Sequence, residues 1–413
     1  MNKKLFTQIK NEWHSNLWIM AELLLVSVIM WFIVDYIYVK VSIYEQPRGF
    51  DISHCYLLDI DKLSEKSPNY NANLKEETDE VNELINRLQR YPEIEAVSLS
   101  HWSYPYDGSN SNCNIACDTM KNDDYIYKRI ITPDFFRVFQ YRGTRGETPE
   151  QLAAMLKNNT FIASGNIFKQ KYNIKFSSLI GKQFHFDGDT TTALKLAAAY
   201  LPVKYTDYEE AYSAKSVAFL LEKKDQNSKN ELCIRVRAKE DKNFIPKLWK
   251  DCSKQLRIGN IYISQIRSFS DIRHNYQQIE TNDMRNYLFG MGFLLLNIFF
   301  GLLGTFWFRT QQRRGEIALF KALGSTQASI FIRLLSEGIL LLAIITVPAV
   351  IIDWNLAHAE LNQAMNGTTL AAPRFIFTIM ITFLLIALMI VAGNWFPARK
   401  AMKIQPAEAL HEE

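Results

Sequence analysis

Apolar residues gather in four nearly unbroken blocks: Leu17–Val39, Tyr287–Phe308, Ile330–Ile352 and Phe375–Phe396. Each block is 22 or 23 residues long, and a bilayer core takes about 20 helical residues. Buried helices of soluble proteins are usually shorter, so four transmembrane helices are expected. The first block is longer than a signal-peptide core of about 7–15 residues. No small-residue cleavage site follows it, because its exit reads Asp35-Tyr36-Ile37-Tyr38-Val39-Lys40. It reads as an uncleaved anchor.

Between the first two blocks the period changes. Ile52–Ile60 reads as a strand. Leu74–Arg90 follows as a helix with Leu74, Val81, Leu84, Ile85 and Leu88 on one face, stopped at Tyr91-Pro92. Ile94–Leu99 is a second strand, which completes a β-α-β unit. A second such unit runs through strand Glu231–Arg237, helix Asn243–Gln255 and strand Asn260–Ile266, with Phe244, Leu248 and Trp249 on one side of the helix. Between the units, Thr132–Val138 and Thr160–Tyr172 read as helices and Lys182–Phe186 and Ala193–Tyr200 as strands, with a hairpin turn at Gly188. The stretch from Gly143 to Asn158 carries no assignment. Ser270–Asn286 is polar but helix-compatible, with Ile272, Tyr276 and Ile279 at i, i+4 and i+7. It reads as a stalk that continues the second span. The expected fold class is an α-helical membrane protein with four transmembrane helices. An extracytoplasmic α+β domain of two lobes, built around β-α-β units, lies between helices 1 and 2.

Basic residues orient this arrangement. Lys3, Lys4 and Lys10 precede the first span; Arg309, Arg313, Arg314 and Lys321 follow the second; Arg399, Lys400 and Lys403 follow the fourth. The outer loop, residues 353–374, has only Arg374. The positive-inside rule then places the tail 1–16, the loop 309–329 and the tail 397–413 in the cytoplasm. It places residues 40–269 and the stalk 270–286 outside. The expected location is a membrane crossed four times, with both termini on the cytoplasmic side.

Charge and motifs narrow the chemistry. The formal net charge is +4, from 47 basic and 43 acidic residues, too balanced for a nucleic-acid binder. No phosphate-binding loop is present, because Gly181-Lys182 lacks both the upstream Gly and a following Ser or Thr. No G-x-S-x-G or H-E-x-x-H occurs, and the seven His have no metal-ligand spacing. No catalytic residue, metal ligand or cofactor of the chain's own is therefore expected. Five Cys, at 55, 113, 117, 233 and 252, all fall in the outer domain. Cys113 with Cys117 and Cys233 with Cys252 are close enough in the predicted elements to pair, and an odd thiol remains. Trp102, Tyr104, Tyr106, Tyr125 and Tyr127 suit an apolar groove or ordinary packing equally well. Inside the first span, Glu22 and Asp35 either reach the interface or, for Glu22, face a partner helix. Gly301 and Gly304 permit close helix contact, and Pro348 is expected to kink the third span.

The informative segments are cytoplasmic. Arg313–Thr326 reads as a short amphipathic helix, with Ile317, Leu319, Phe320 and Leu323 available for burial. Gly324 suits the position after the helix, and Ser325 or Thr326 suits the cap of the next. A plain connector does not need this apolar content, so a docking element is expected. The tail from Phe396 ends in Pro406-Ala407-Glu408-Ala409-Leu410, a candidate final turn.

Arg314-Gly315-Glu316-Ile317 through Lys321-Ala322-Leu323-Gly324 resembles the loop of the FtsX-like permeases of ABC transporters, the MacB type. Pro397-Ala398 with Ala401, then Pro406 to Leu410, resembles that family's tail. Thr132-Pro133-Asp134-Phe135-Phe136 with Val138-Phe139 resembles a segment of its outer domain. The resemblance implies a coupling helix formed by Arg314, Glu316, Ile317, Leu319, Lys321, Ala322, Leu323 and Gly324. It also implies a tail motif of Pro397, Ala398, Pro406, Glu408, Ala409 and Leu410. It further implies two permease copies, alike or different, on two cytoplasmic ABC ATPase subunits that bring ATP and magnesium. ATP-driven motion of the helices would reshape the outer domain, which is mechanotransmission, for export or extraction of a periplasmic or membrane substrate. Some members add a periplasmic adaptor and an outer-membrane tunnel. The family's macrolide exporter carries a fused ATPase; here a separate subunit is expected. The alternative is a membrane-anchored extracytoplasmic sensor or assembly protein without ATPase coupling. An extracytoplasmic enzyme is disfavoured by the missing catalytic constellation.

Overall fold

The computed structural model describes residues 13–72, 76–122, 124–211, 214–365 and 370–403. It divides into two units, Met1–Ser42 with Glu280–Glu413 and Ile43–Ile279.

Among the described residues of Ile43–Ile279, twelve strands form one mixed sheet. They are β1 Cys55–Lys62, β2 Ile94–His101, β3 Ser111–Asn112, β4 Ile115–Cys117, β5 Met120–Lys121 and β6 Ile126–Ile131. The rest are β7 Thr160–Ser164, β8 Gln183–Phe186, β9 Asp189–Tyr200, β10 Lys215–Leu220, β11 Glu231–Val236 and β12 Ile261–Ser268. Their order is β12-β1-β11-β2-β6-β10-β7-β9-β8-β4-β5, with β3 on β6. The first four strands carry both β-α-β units. Strand β1 is antiparallel to β11 and β12, and β11 is antiparallel to β2. Each unit therefore holds a strand of the other between its own two, a split β-α-β arrangement.

The reason for the interleaving is shared cover. Residues Glu77–Gln89 and Asp241–Cys252 form two amphipathic helices. Val81, Leu84 and Leu88 from one and Phe244 and Leu248 from the other bury in a single core with Leu99, Leu232 and Ile234 of the sheet. Leu74, expected on the first helix's apolar face, lies outside the described residues. Trp249 is a correction: it is 50% exposed, because the position after Leu248 turns about 100° away from the buried stripe.

The second lobe departs further from the sequence reading. The expected helix at Thr160–Tyr172 is strand β7 followed by a short helix, Lys169–Tyr172. Phe161, Ile162 and Ala163 are fully buried between β10 and β9, and a short apolar run looks alike in a central strand and a buried helix. The unassigned stretch contains helix Pro149–Met155. Thr148 caps it by accepting from Gln151 N at 3.4 Å, and Gln151 Oε1 accepts from Thr148 N at 2.9 Å. Asp187 and Gly188 both take positive φ between β8 and β9, as a tight hairpin requires.

All five Cys are buried free thiols. Cys233 packs on one face of the sheet with Cys55, and Cys252 packs in the helix-covered core on the other, so these two are not a pair. Burial pushes the Cys113 thiol up to about 12. Of the two readings of the aromatic residues, packing describes Tyr106 and Tyr127, while Trp102 and Tyr125 are exposed. Tyr106 is buried and donates its hydroxyl to Asp207 Oδ1 at 2.7 Å, and Tyr127 stacks on Tyr205 with ring centres 4.8 Å apart.

The other unit holds the long helices: α1 Trp13–Tyr44, α2 Gln278–Gln312, α3 Arg314–Ala322, α4 Gln327–His358 and α5 Ala372–Ala401. Four of these, all but α3, are long and apolar enough to cross a membrane. Leu23, Met30, Leu302, Leu341, Ile386 and Ile390 form their common core, while Phe289, Phe293, Met380 and Leu384 face outward. Pro348 and Pro397 lie inside α4 and α5. The stalk is a second correction. Helix α2 starts only at Gln278, and Phe269–Tyr276 is a separate helix capped by Ser268, whose Oγ accepts from Asp271 N at 3.1 Å. Phe269 and Ile272 are tied into the sheet core, so the first half of the expected stalk belongs to the outer unit.

Candidate functional site

The loop helix α3 begins at Arg314, directly after α2, and ends in a Schellman-type turn. Ser325 N donates to Phe320 O at 2.9 Å, and Gly324 adopts φ +92°, which favours glycine. Thr326 then caps α4 by accepting from Ser329 N at 3.2 Å. Two adjacent hydrogen-bonded ends therefore hold α3 between two long helices.

Its apolar residues divide between two faces. Ile317 packs with Ile330 of α4 and Ala401 of α5. Phe320 is half-buried beneath the Arg333 guanidinium, 4.3 Å from its ring centre. Leu319 and Leu323 are 50% and 75% exposed, and Ala322 beside them is exposed as well. Of the four large apolar residues available for burial, Ile317 and Phe320 face the neighbouring helices and Leu319 and Leu323 do not. The helix is amphipathic about its seat, yet it still presents Leu319, Ala322 and Leu323 at i, i+3 and i+4 as a second apolar strip.

Charge fixes the seat. Glu337 of α4 is buried, and accepts from Arg309 Nη1 at 3.4 Å and Arg313 Nη1 at 3.2 Å. Arg313 also donates its Nε to Glu316 Oε2 at 2.7 Å, and Arg333 Nη2 lies 3.9 Å from Glu316 Oε1. Three guanidinium groups thus share two carboxylates around a cavity of about 30 Å³. Glu316 was singled out in the sequence and Glu337 was not. Its signal was available, since it is the one acidic residue inside the block Ile330–Ile352. Arg314 and Lys321 are half-buried on the same helix. In the tail motif, Pro397 and Ala398 are buried in α5, while Pro406, Glu408, Ala409 and Leu410 lie outside the described residues.

The two acidic residues of the first span have different surroundings. Asp35 is buried and forms a bidentate pair with Arg374 of α5, Nε to Oδ1 at 2.8 Å and Nη2 to Oδ2 at 2.5 Å. Asn362 Nδ2 adds a third donor at 2.8 Å. One turn along, Trp31 Nε1 donates to Thr378 Oγ1 at 3.0 Å. Glu22 is half-buried against Gly301, where an added Cβ would come within 2.7 Å of its Oε1. That glycine makes room for the carboxyl. Among the described residues, no three His, Cys, Asp or Glu gather as metal ligands.

The chain thus combines four helices long and apolar enough to cross a membrane, a short helix between the second and third of them, and an α/β unit inserted after the first. Residues 288–406 match the FtsX-like permease C-terminal family. That match runs from within the second long helix to the tail and covers less than half of the chain. No curated protein matches it. Among solved structures it is similar to the periplasmic region of MacB from Actinobacillus actinomycetemcomitans, at 11% identity over 58% of this chain and 98% of that one, with a TM-score of 0.32. It is also similar to the extracellular domain of the ABC-type transporter YknZ from Gram-positive bacteria, at 12% identity over 51% of this chain and 100% of that one, with a TM-score of 0.29. Neither likeness bears on what this chain moves.

Proposed function

We propose that this permease couples ATP hydrolysis by a separate cytoplasmic ABC ATPase to conformational change of its outer domain, with α3 as the coupling helix. The observation that carries this reading is the exposed strip of Leu319, Ala322 and Leu323 on a helix whose other face is anchored by Ile317 and the Glu316–Arg313–Glu337 network. An exposed apolar strip on a charge-anchored helix fits a partner groove. Movement of the partner would pass through that network into α2 and α4. On this reading α3 and both termini are cytoplasmic, a second permease copy completes the unit, and ATP and magnesium belong to the partner.

Mass spectrometry of the chain purified from its own membranes in mild detergent tests this. An abundant ABC ATPase near one-to-one supports it; a complex without ATPase, with ATP and magnesium present, favours the sensor reading. Gly324→Trp and Glu316→Arg are expected to lose the ATPase while inserting normally. Unchanged co-purification and ATPase activity in both variants would remove α3 from the coupling role.

A further inference from the structure

The residues left over from this account lie between α1, α4 and α5. Asp353 is only 1% exposed, although it falls in the segment read from sequence as outer loop, because α4 continues to His358. Its Oδ1 has no hydrogen-bond partner, and neither has the buried Oγ of Ser27 on α1. Both side chains line one cavity, together with Thr346 of α4 and Thr382 of α5.

The hydroxyls are committed in one direction. Thr346 Oγ1 donates to Leu342 O at 2.8 Å and Thr382 Oγ1 donates to Thr378 O at 2.9 Å. Their oxygens therefore remain acceptors. No Lys, Arg or His lines the cavity, and the guanidinium further along α5, Arg374, is already taken by Asp35. A carboxyl inside a helix bundle either holds a countercharge or keeps its proton, and a sodium-dependent, pH-independent response separates the two. Here every polar group facing it is an oxygen.

The space selects the occupant. The cavity measures about 10 Å³, and a single water needs roughly 10–15 Å³ on that measure. Calcium requires about six to eight oxygen ligands and magnesium keeps several waters, so both are too demanding for this site. Hard oxygen donors do not suit thiophilic metals. We propose that Asp353, Ser27, Thr346 and Thr382 form a site for one small monovalent cation of sodium size, which ties three of the four long helices together. The site is independent of the coupling reading, because it involves neither α3 nor the tail.

The test uses the full chain in lipid nanodiscs. Thermal unfolding is followed while sodium chloride replaces choline chloride at constant ionic strength and pH, and binding of radioactive sodium is measured in parallel. Wild type is expected to show a saturable rise in unfolding midpoint and saturable binding. Asp353→Asn should keep the side-chain shape, unfold at the same temperature in both salts, and bind no sodium. Ser27→Ala should fold and bind about tenfold or more weakly. A wild-type midpoint that is the same in both salts, or that follows pH but not sodium, overturns the site. So does undiminished sodium binding in Asp353→Asn.

Discussion

The Asp35–Arg374 pair and the network around Glu337 both bury carboxylates among long apolar helices, but they are built to opposite ends. The first is closed. One guanidinium meets one carboxylate through two bonds of 2.8 and 2.5 Å, and both residues are buried. The second is shared. Its contacts run from 2.7 to 3.9 Å, and three cations divide two carboxylates. A closed bidentate pair has one arrangement, and any displacement strips both charges of their partner. A shared network can pass a guanidinium from one carboxylate to the other while keeping each paired. The first suits a fixed joint between α1 and α5, the second a joint that can shift without leaving a charge unpaired.

The largest effect is expected at the closed pair. Arg374→Ala leaves Asp35 buried without its cation, at a cost of about 3–5 kcal/mol, the usual loss when one partner of a buried pair is removed. SDS-induced unfolding of the chain in mixed micelles reads this, and the double change Asp35→Leu with Arg374→Leu should recover most of the loss. A single-variant loss below about 1 kcal/mol would place the pair with exposed ion pairs instead.

At the shared network the expected loss is smaller. Glu337→Gln keeps the shape but removes one of two negative charges, and Glu316 still holds Arg313. A loss of about 1–3 kcal/mol is expected in the same measurement. On the proposed coupling, stimulation of the partner ATPase should also fall while the partner still binds. Equal losses at Arg374 and Glu337 would erase the difference between the joints.

A half-buried carboxyl in the outer unit, Asp107, has a carboxylate for a neighbour. Burial pushes the Asp107 carboxyl up to about 7, and the charge of Glu231 adds to the rise. The folded chain thus favours protonated Asp107. Its stabilising contribution is complete below about pH 4, where the unfolded carboxyl is also protonated, and is lost as pH rises through about 7. Asp107 is only half-buried, so solvent screening limits the effect to about 1–2 kcal/mol. Hydrogen exchange of outer-unit peptides between pH 5 and 8 should show protection falling in wild type and staying level in Asp107→Asn. A parallel fall in both would assign the slope to other groups.

Legibility followed the range of the interactions. The α3 cap at Gly324 and Thr326, the helix faces at Val81-Leu84-Leu88 and the hairpin at Gly188 each depend on residues a few positions apart. Thr160–Ser164 was misread because nothing local separates a strand buried on both faces from a buried helix. The capping box at Thr148 and Gln151 and the lone acidic residue Glu337 are both local signals in the sequence, one a three-residue spacing and the other a single charge in an apolar block.

By itself the sequence determined the four long apolar helices, the α/β insertion after the first, the charged loop helix and the family its motifs resemble. These rest on length, period and short spacings. Only the tertiary structure decided that the two β-α-β units interleave, that Leu319 and Leu323 face outward while Ile317 is buried, that Asp35 meets Arg374, and that Asp353 is sealed beside Ser27. Each of these depends on which distant segment supplies the neighbour. Burial and pairing energies are set by that neighbour and not by the local run of residues.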